Sequence, residues 1–333
     1  MRLSKFHLAV FKFHYVPIET VYLPPYKGAV LRGGLGNELK RTVCVVKEQP
    51  CEVCILKKAC VYYQIFETPV PENSIYFEGQ SRAPHPFVIE PPEEYKTEYS
   101  PYDRFSFNLI LIGDAVDYLP YFVLAFWKLG RKGIGRKISG ERGRCLLEKV
   151  ESLKSLDDVH PELIFSGESE RFFDNVTLIK AEDIFRDRDV AGDRITLDFI
   201  TPTRIKQKGS LQDKIDFEML IRNLLRRILA LSYFHCDEEL KLDYKSLIEK
   251  ASKVRTVESN LRWHDWSRYS RRQDTRISLG GFKGRITFEG EIEEFLPLIL
   301  LGEYIHLGKG TAFGLGKFRI ITRCTHHHRR RAS

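Results

Sequence analysis

Leu301–Lys317 reads LGEYIHLGKGTAFGLGK, with Gly308, Gly310, Gly314 and Gly316 set among Lys309 and Lys317. An apolar run of helical length and composition, Phe295–Leu301, leads into it. Phe318–Thr322, alternating like a strand, follows. Glycine lets a backbone adopt φ > 0 and approach a ligand closely. Successive amides free of side chains can cradle phosphate oxygens, and the lysines add charge. Taken alone, the same residues also describe a turn between a last helix and a last strand.

A similar arrangement occurs earlier in the chain. Leu119-Pro120 leads through an apolar helix to Leu129-Gly130-Arg131-Lys132-Gly133-Ile134-Gly135. Leu296-Pro297 leads in the same way to Leu307-Gly308-Lys309-Gly310 and Phe313-Gly314-Leu315-Gly316. Helices often end in Leu-Gly, but the coincidence falls at the same relative place in each half, which points to duplication. In the first half, residues 2–14 alternate as a strand with both faces partly covered, and Pro24-Pro25 breaks it. Gly28–Arg41 reads as a loop entering a short helix, with Leu31, Leu35 and Leu39 on one stripe. His85–Ile89 and Phe105–Ile112 read as strands, Tyr118–Leu129 as a helix and Cys145–Val150 as a strand.

In the second half, Arg194–Ile200 predicts a strand and Ile215–Leu231 an amphipathic helix. A further short helix is expected at Leu247–Val254. Thr275–Leu279 and Arg285–Phe288 predict strands around Gly280-Gly281. Glu291–Ile305 predicts a helix and Phe313–Ile320 the last strand. Each half thus runs strand, helix, strand, strand, helix, strand, the ferredoxin-like order. The expected fold is α+β: two tandem ferredoxin-like (RRM-like) domains with a cysteine-rich insertion, residues 44–60, in the first. The first domain is expected over 1–190, including a charged connector with some strand content at 151–190. The second is expected over 191–323, followed by a tail at 324–333.

The 333 residues are 43% hydrophobic and 29% charged, an ordinary globular balance. Residues 1–16 mix charge with apolar residues, unlike a signal peptide. The longest apolar runs, such as Tyr118–Trp127, are too short to span a bilayer. A cytoplasmic protein with no membrane partner is expected. The net charge of +8 and pI of about 9.0 favour a polyanionic partner. Three stretches concentrate that charge: Lys128–Arg144, Arg262–Arg285 with Trp263, Trp266 and Tyr269 interleaved, and Lys309–Lys317. Cations neutralise phosphates and aromatic faces stack on unpaired bases, so the three together suggest nucleic acid, and the open sheet face of ferredoxin-like domains suits single-stranded RNA.

Cys44, Cys51, Cys54 and Cys60 are spaced C-x6-C-x2-C-x5-C. Such a cluster can hold one structural Zn²⁺ through four thiolates; four reduced, mostly buried cysteines are the alternative. Cys145, Cys236 and Cys324 are isolated and read as packing residues. The chain has no Walker A, HExxH or GxSxG motif and no dense carboxylate cluster for two-metal catalysis. RNA cleavage consistent with these residues is metal-independent: the 2′-OH attacks the adjacent phosphate, helped by a base, an acid and cations. His306 and His264 are the candidate proton carriers, and each also reads as a hydrogen-bonded structural histidine.

In order, the stretches YKGAVLRGGLGNELKR (Tyr26–Arg41), the cysteine loop, DWSRYSRRQ (Asp265–Gln273) and GKGTAFGLGK (Gly308–Lys317) make the chain resemble a known family. It resembles the CRISPR-associated endoribonucleases of the RAMP superfamily, which cut precursor crRNA within its repeats, over about residues 1–323. The resemblance implies two ferredoxin-like domains and metal-independent cleavage leaving a 2′,3′-cyclic phosphate. It implies no cofactor for catalysis and a structural role for the cysteine loop. Its implied partners are CRISPR repeat RNA, as precursor and as crRNA, and a CRISPR effector complex.

Many relatives carry a catalytic histidine on or near the first helix, and Gly28–Arg41 has none. Some relatives lacking it use lysine, arginine and tyrosine, so Tyr26, Lys27, Arg32 and Lys40 are the local substitutes. The expected catalytic set is then Tyr26, Lys27 and Lys40 on one wall of an interdomain cleft and His306 on the other. The expected RNA contacts are Arg32, Arg41, Trp266, Arg268, Tyr269, Arg272, Gly308, Lys309, Gly310, Gly314, Gly316 and Lys317. A non-catalytic crRNA-binding subunit of the same superfamily is the alternative, because one fold serves both roles.

Overall fold

A computed structural model describes residues 3–47, 49–70, 83–186, 192–207, 209–270 and 275–321, with backbone alone for 267–270 and 275–278. The first domain is built from β1 (His7–Pro17), α1 (Gly28–Val43), β2 (Phe87–Glu90), β3 (Phe105–Ile112), α2 (Leu119–Lys132) and β4 (Cys145–Leu153). Its strands pair antiparallel in the order β4-β1-β3-β2. The second domain repeats the scheme with β5 (Arg194–Thr203), α3 (Phe217–His235), β6 (Arg255–His264), β7 (Gly281–Glu289), α4 (Leu296–Ile305) and β8 (Phe318–Ile321). Its order, β6-β7-β5-β8, is antiparallel throughout and is that of the first sheet. These are two ferredoxin-like units, and the Leu-Pro helices α2 and α4 occupy equivalent places.

The alternation of β1 divides its side chains between two cores. Ala9, Phe11, Phe13 and Tyr15 pack under α1 and α2. Leu8 and Val10 join Ile195, Leu197, Leu220 and other residues of the second domain in one apolar cluster. Both faces of the strand are therefore buried because the domains share a core across their seam.

Three expectations are corrected. Gly28–Val43 is helical from its start, despite Gly28, Gly33, Gly34 and Gly36. Each interior glycine costs a helix roughly 0.5–1 kcal/mol. The buried stripe Leu31, Leu35 and Leu39 offsets this by packing into the core. Within residues 151–186 the strand content expected of the connector is present, since Glu162–Ser166 and Arg171–Phe172 extend the first sheet beyond β4 and Ile179–Lys180 pairs with β1, but Ala181–Arg186 is helical, which was not expected.

Third, the strand next to β7 is Arg255–His264, which hydrophobic alternation does not reveal. Nine of its ten residues are exposed, so backbone pairing at a sheet edge holds it. Thr275–Ser278 instead pairs with Ser267–Ser270 in a separate ribbon.

Helix α3 begins where the Asp216 carboxylate accepts from the Met219 amide (2.7 Å). It buries Phe217, Leu220, Ile221, Leu224, Leu225 and Ile228. Leu224 is fully buried in the shared core. Leu224→Ala is expected to lower the unfolding free energy by about 2–5 kcal/mol, read from the urea midpoint at unchanged slope.

Candidate nucleic-acid interface at the domain seam

After α4 the chain enters the glycine loop at His306, which holds φ +62. The loop is a docking element more than an open cradle. The Leu307 amide donates to Gly316 O, Lys309 to Arg204 O, Gly316 to Pro202 O and Lys317 to Thr201 Oγ1. Two glycines are required by close approach. A Cβ on Gly314 (φ +83) would lie 2.4 Å from Ile89 O of β2. A Cβ on Gly28, opening α1, would lie 1.9 Å from Phe313 O. The loop of the second domain is thus wedged against two elements of the first.

The wedge closes over a buried carboxylate. Glu90, at the end of β2, is 3% exposed. His306 Nε2 donates to its Oε1 (3.0 Å), Asn108 Nδ2 donates to Oε2 (2.9 Å), and Lys317 Nζ lies 3.3 Å from Oε1. Lys317 also bonds Glu93 (2.7 Å). Burial by itself pushes Glu90 up; the His306 hydrogen bond, the Lys317 charge and the Asn108 bond outweigh it and hold the group down at about 2. Burial lowers the His306 pKa, and Glu90 opposes that shift.

The predicted site residues separate accordingly. His306 has no exposed surface and packs in the seam, where a cleft wall was expected. Lys317 is 7% exposed and engaged by two carboxylates. Lys27 is fully buried, donating to Glu94 O (2.7 Å) and Pro25 O (3.3 Å), and burial lowers its pKa. Lys40 lies 13 residues along α1 from Lys27, roughly 20 Å at 1.5 Å per residue. There it bonds Cys51 and faces the Tyr62 ring at 5.4 Å. Arg41 is exposed beside Glu38 (3.7 Å).

Other expected residues do meet at the seam. Tyr26 is half-buried; its hydroxyl donates to Phe313 O (2.8 Å) and its ring lies 4.7 Å from Trp266. Burial raises its pKa well above the usual 10, with Glu90 adding to the shift, so it serves as a neutral donor. Arg32 lies over the rings of Phe66 (4.8 Å) and Phe313 (5.1 Å), and its Nη2 donates to His85 Nε2 (2.9 Å). His85 was missed as a site residue. It sits beside an apolar run, Phe87–Ile89, that reads as a buried strand, and only the fold sets it against α1.

Above the loop, Lys309 is exposed among Arg204, Lys206 and Arg226; burial first, then these cations, lowers its pKa. No ion pair engages these four cations among the described residues. Trp263 and His264 are exposed on β6. The side chains of Arg268 and Tyr269, and all of Arg272, lie outside the described residues. So do residues 71–82 and the predicted tail, 324–333.

Two ferredoxin-like domains locked through a glycine-rich loop, with cations and aromatics beside it, make a RAMP-like fold. Residues 6–177 match the family model AF_1859_N, N-terminal domain, and residues 197–318 match that of the CRISPR-associated endoribonuclease Cas6. The chain belongs to the AF_1859_N family and carries a Cas6 domain as its second half; it is a CRISPR-associated protein. An uncharacterized protein of Archaeoglobus fulgidus is 27% identical over 301 residues, 90% of this chain and 93% of that one.

Among solved structures, the product complex of Thermus thermophilus Cas6 (TTHB231) superposes with a TM-score of 0.57 at 16% identity, covering 94% of this chain and 99% of that one. A partial Cas6-RT-Cas1–Cas2 complex gives 0.57 at 13% identity, over 97% of this chain and 47% of that one. These likenesses bear on the fold. No helix among the described residues is long and apolar enough to cross a membrane.

Because Glu90 is depressed in the folded state, the stability it confers is present above its unfolded value near 4.5 and is lost as pH falls from there toward 2. The shift corresponds to on the order of 3 kcal/mol. Urea midpoints between pH 6 and pH 3 should fall more steeply for the wild type than for Glu90→Gln. Parallel curves would mean that Glu90 has the same pKa in the folded and the unfolded chain.

Proposed function

We propose that this chain is a metal-independent endoribonuclease cutting precursor CRISPR RNA within its repeats, in the cytoplasm, and that it passes the mature crRNA to an effector complex. The observation that carries the reading is the half-exposed Arg32–His85 pair, 2.9 Å apart, set against the glycine loop of a Cas6 domain. The scissile phosphate lies over this pair. Arg32 turns its donors to the non-bridging oxygens, which frees His85 Nε2 to take the 2′-OH proton. The 2′ oxygen then bonds phosphorus, and the bond to the 5′ oxygen breaks. The products are a 2′,3′-cyclic phosphate and a 5′-OH. Lys309, its ammonium made more acidic by burial and neighbouring cations, is the loop's candidate donor to the leaving oxygen. Tyr26 positions the loop through Phe313 O, and Arg204, Lys206 and Trp266 extend the RNA contact.

His85→Ala is expected to slow single-turnover cleavage of repeat RNA in EDTA by about 10²–10⁴-fold while binding of a 2′-deoxy repeat is retained. His306→Ala should instead lower thermal stability and leave the rate of the folded fraction near wild type. The reverse pattern would return the proton transfer to His306. A second reading, a non-catalytic crRNA-binding subunit, is favoured by the burial of Lys27 and His306. Tight repeat binding with no cut at any pH would establish it.

The cysteine corner is proposed as a structural Zn²⁺ site. In support, Cys44, Cys51, Cys54 and Cys60 are half-buried, free and line one cavity beside Lys40 and Lys57. Against it, no three Cys, His, Asp or Glu side chains among the described residues converge closely enough to hold an ion. Closure of the four thiols around a metal would therefore move the loop. Zinc at about one equivalent, and a fall in melting temperature when it is chelated, are the expected results; zinc-free protein with the same melting temperature would refute the site.

A further inference from the structure

The duplication gives α2 its own glycine loop, which the reading above does not use. Gly133, Gly135 and Gly140 hold φ of 92°, 87° and 92° and turn the chain through a short hairpin, Lys137–Ile138 with Glu141–Arg142, before β4 begins. A Cβ on Gly135 would lie 2.1 Å from Tyr22 O, and the Arg136 amide donates to the same oxygen (2.9 Å). This loop therefore rests on the short strand Val21–Tyr22, as the later loop rests on Arg204.

Beside that contact is an open cavity of about 460 Å³, lined by Tyr22, Pro24, Val30, Thr97 and Arg136. That falls within the roughly 300–1,000 Å³ of small-ligand pockets.

The basic residues around it are not equivalent. Lys132 is paired with Glu38, Arg144 with Glu19 (2.8 Å) and Arg131 with Glu170 (3.5 Å). Arg142 is turned inward onto Gly135 O (2.8 Å). Arg136 and Lys137 remain exposed with no ion pair among the described residues, and the Arg136 guanidinium lies 5.5 Å from the Tyr22 ring centre. A cation and an aromatic face at the mouth of a mostly apolar pocket, next to an exposed basic hairpin, match an unpaired base and its flanking phosphates. A duplex would leave the pocket empty, because its bases stay stacked on one another.

We infer that the loop after α2 is a second RNA contact. A single-stranded nucleotide enters the Tyr22–Arg136 pocket while Arg136 and Lys137 neutralise the phosphates beside it. The inference rests on the proposal that the chain binds repeat RNA. It adds that the RNA is held at two equivalent loops, one in each domain. The segment held here is single-stranded whatever the structure of the rest of the repeat.

The test uses the full chain and fluorescein-labelled repeat RNA from the adjoining CRISPR array, with a blunt duplex of the same length as control. Arg136→Glu with Lys137→Glu, both exposed, should weaken binding at least tenfold. It should also flatten the slope of log affinity against log salt by about 1.4, two phosphates at roughly 0.7 each. In the wild type, hydrogen exchange at residues 135–143 should slow on adding the repeat and stay unchanged on adding the duplex. Unchanged affinity and slope, or no protection at 135–143, would overturn the second contact while leaving repeat binding intact. Equal protection by the duplex would overturn its single-strand character. A wild type that binds no repeat RNA would remove this inference together with the reading beneath it.

Discussion

A carboxylate with almost no solvent holds the two halves together. Glu90 ends an edge strand of the first domain, and the groups that neutralise it come from both domains: His306 and Lys317 from one, Asn108 from the other. A buried charge is tolerable only when it is paired and hydrogen-bonded. The loop that supplies His306 and Lys317 therefore has to sit where it does. The relative position of the domains follows from that requirement together with the shared apolar core. A second polar contact lies further along the seam, where His235 Nε2 donates to Pro84 O (2.8 Å).

This arrangement divides the loop's residues by role. Those that satisfy Glu90 are buried and unable to meet a polyanion. Those that face outward, Lys309 among them, lie among like charges that raise the cost of leaving them without an anion. Arg32 connects the two sets: it lies over Phe313 of the loop while bonding His85 of the first domain. A phosphate arriving at the seam would thus meet a guanidinium and an imidazole already placed by packing, which lowers the cost of orienting them.

The duplication gives the chain two copies of one device. In each domain the second helix begins at Leu-Pro and is followed by a glycine-rich loop that returns the chain to the strand beside the domain's first strand. In the second domain that loop became the interdomain wedge. In the first it remained at the surface, where Arg136 and Lys137 have no ion pair among the described residues. One local solution, a tight glycine-rich exit from a helix, thus served joining in one half and exposure in the other.

The periodicities of β1, α2, α3 and α4, and the repeated Leu-Pro and Gly-rich signals, determined the two ferredoxin-like units from sequence alone, because those elements bury one regular face. The edge strand Arg255–His264 escaped because it is exposed on both sides and its pairing is a backbone property with no side-chain period. The helix at Gly28–Val43 was read short because its glycines mask a stripe that only packing makes decisive. Residue type likewise named Tyr26, Arg32 and Lys309 as candidates. Burial, a long-range property, decided that His306, Lys27 and Lys317 would be spent inside the fold, and that His85, unremarked in sequence, would stand beside Arg32. Charge and periodicity are local and legible in the chain; which charged group finds a partner, and which is left for RNA, depends on residues far along it, as with His306 and Glu90, 216 positions apart.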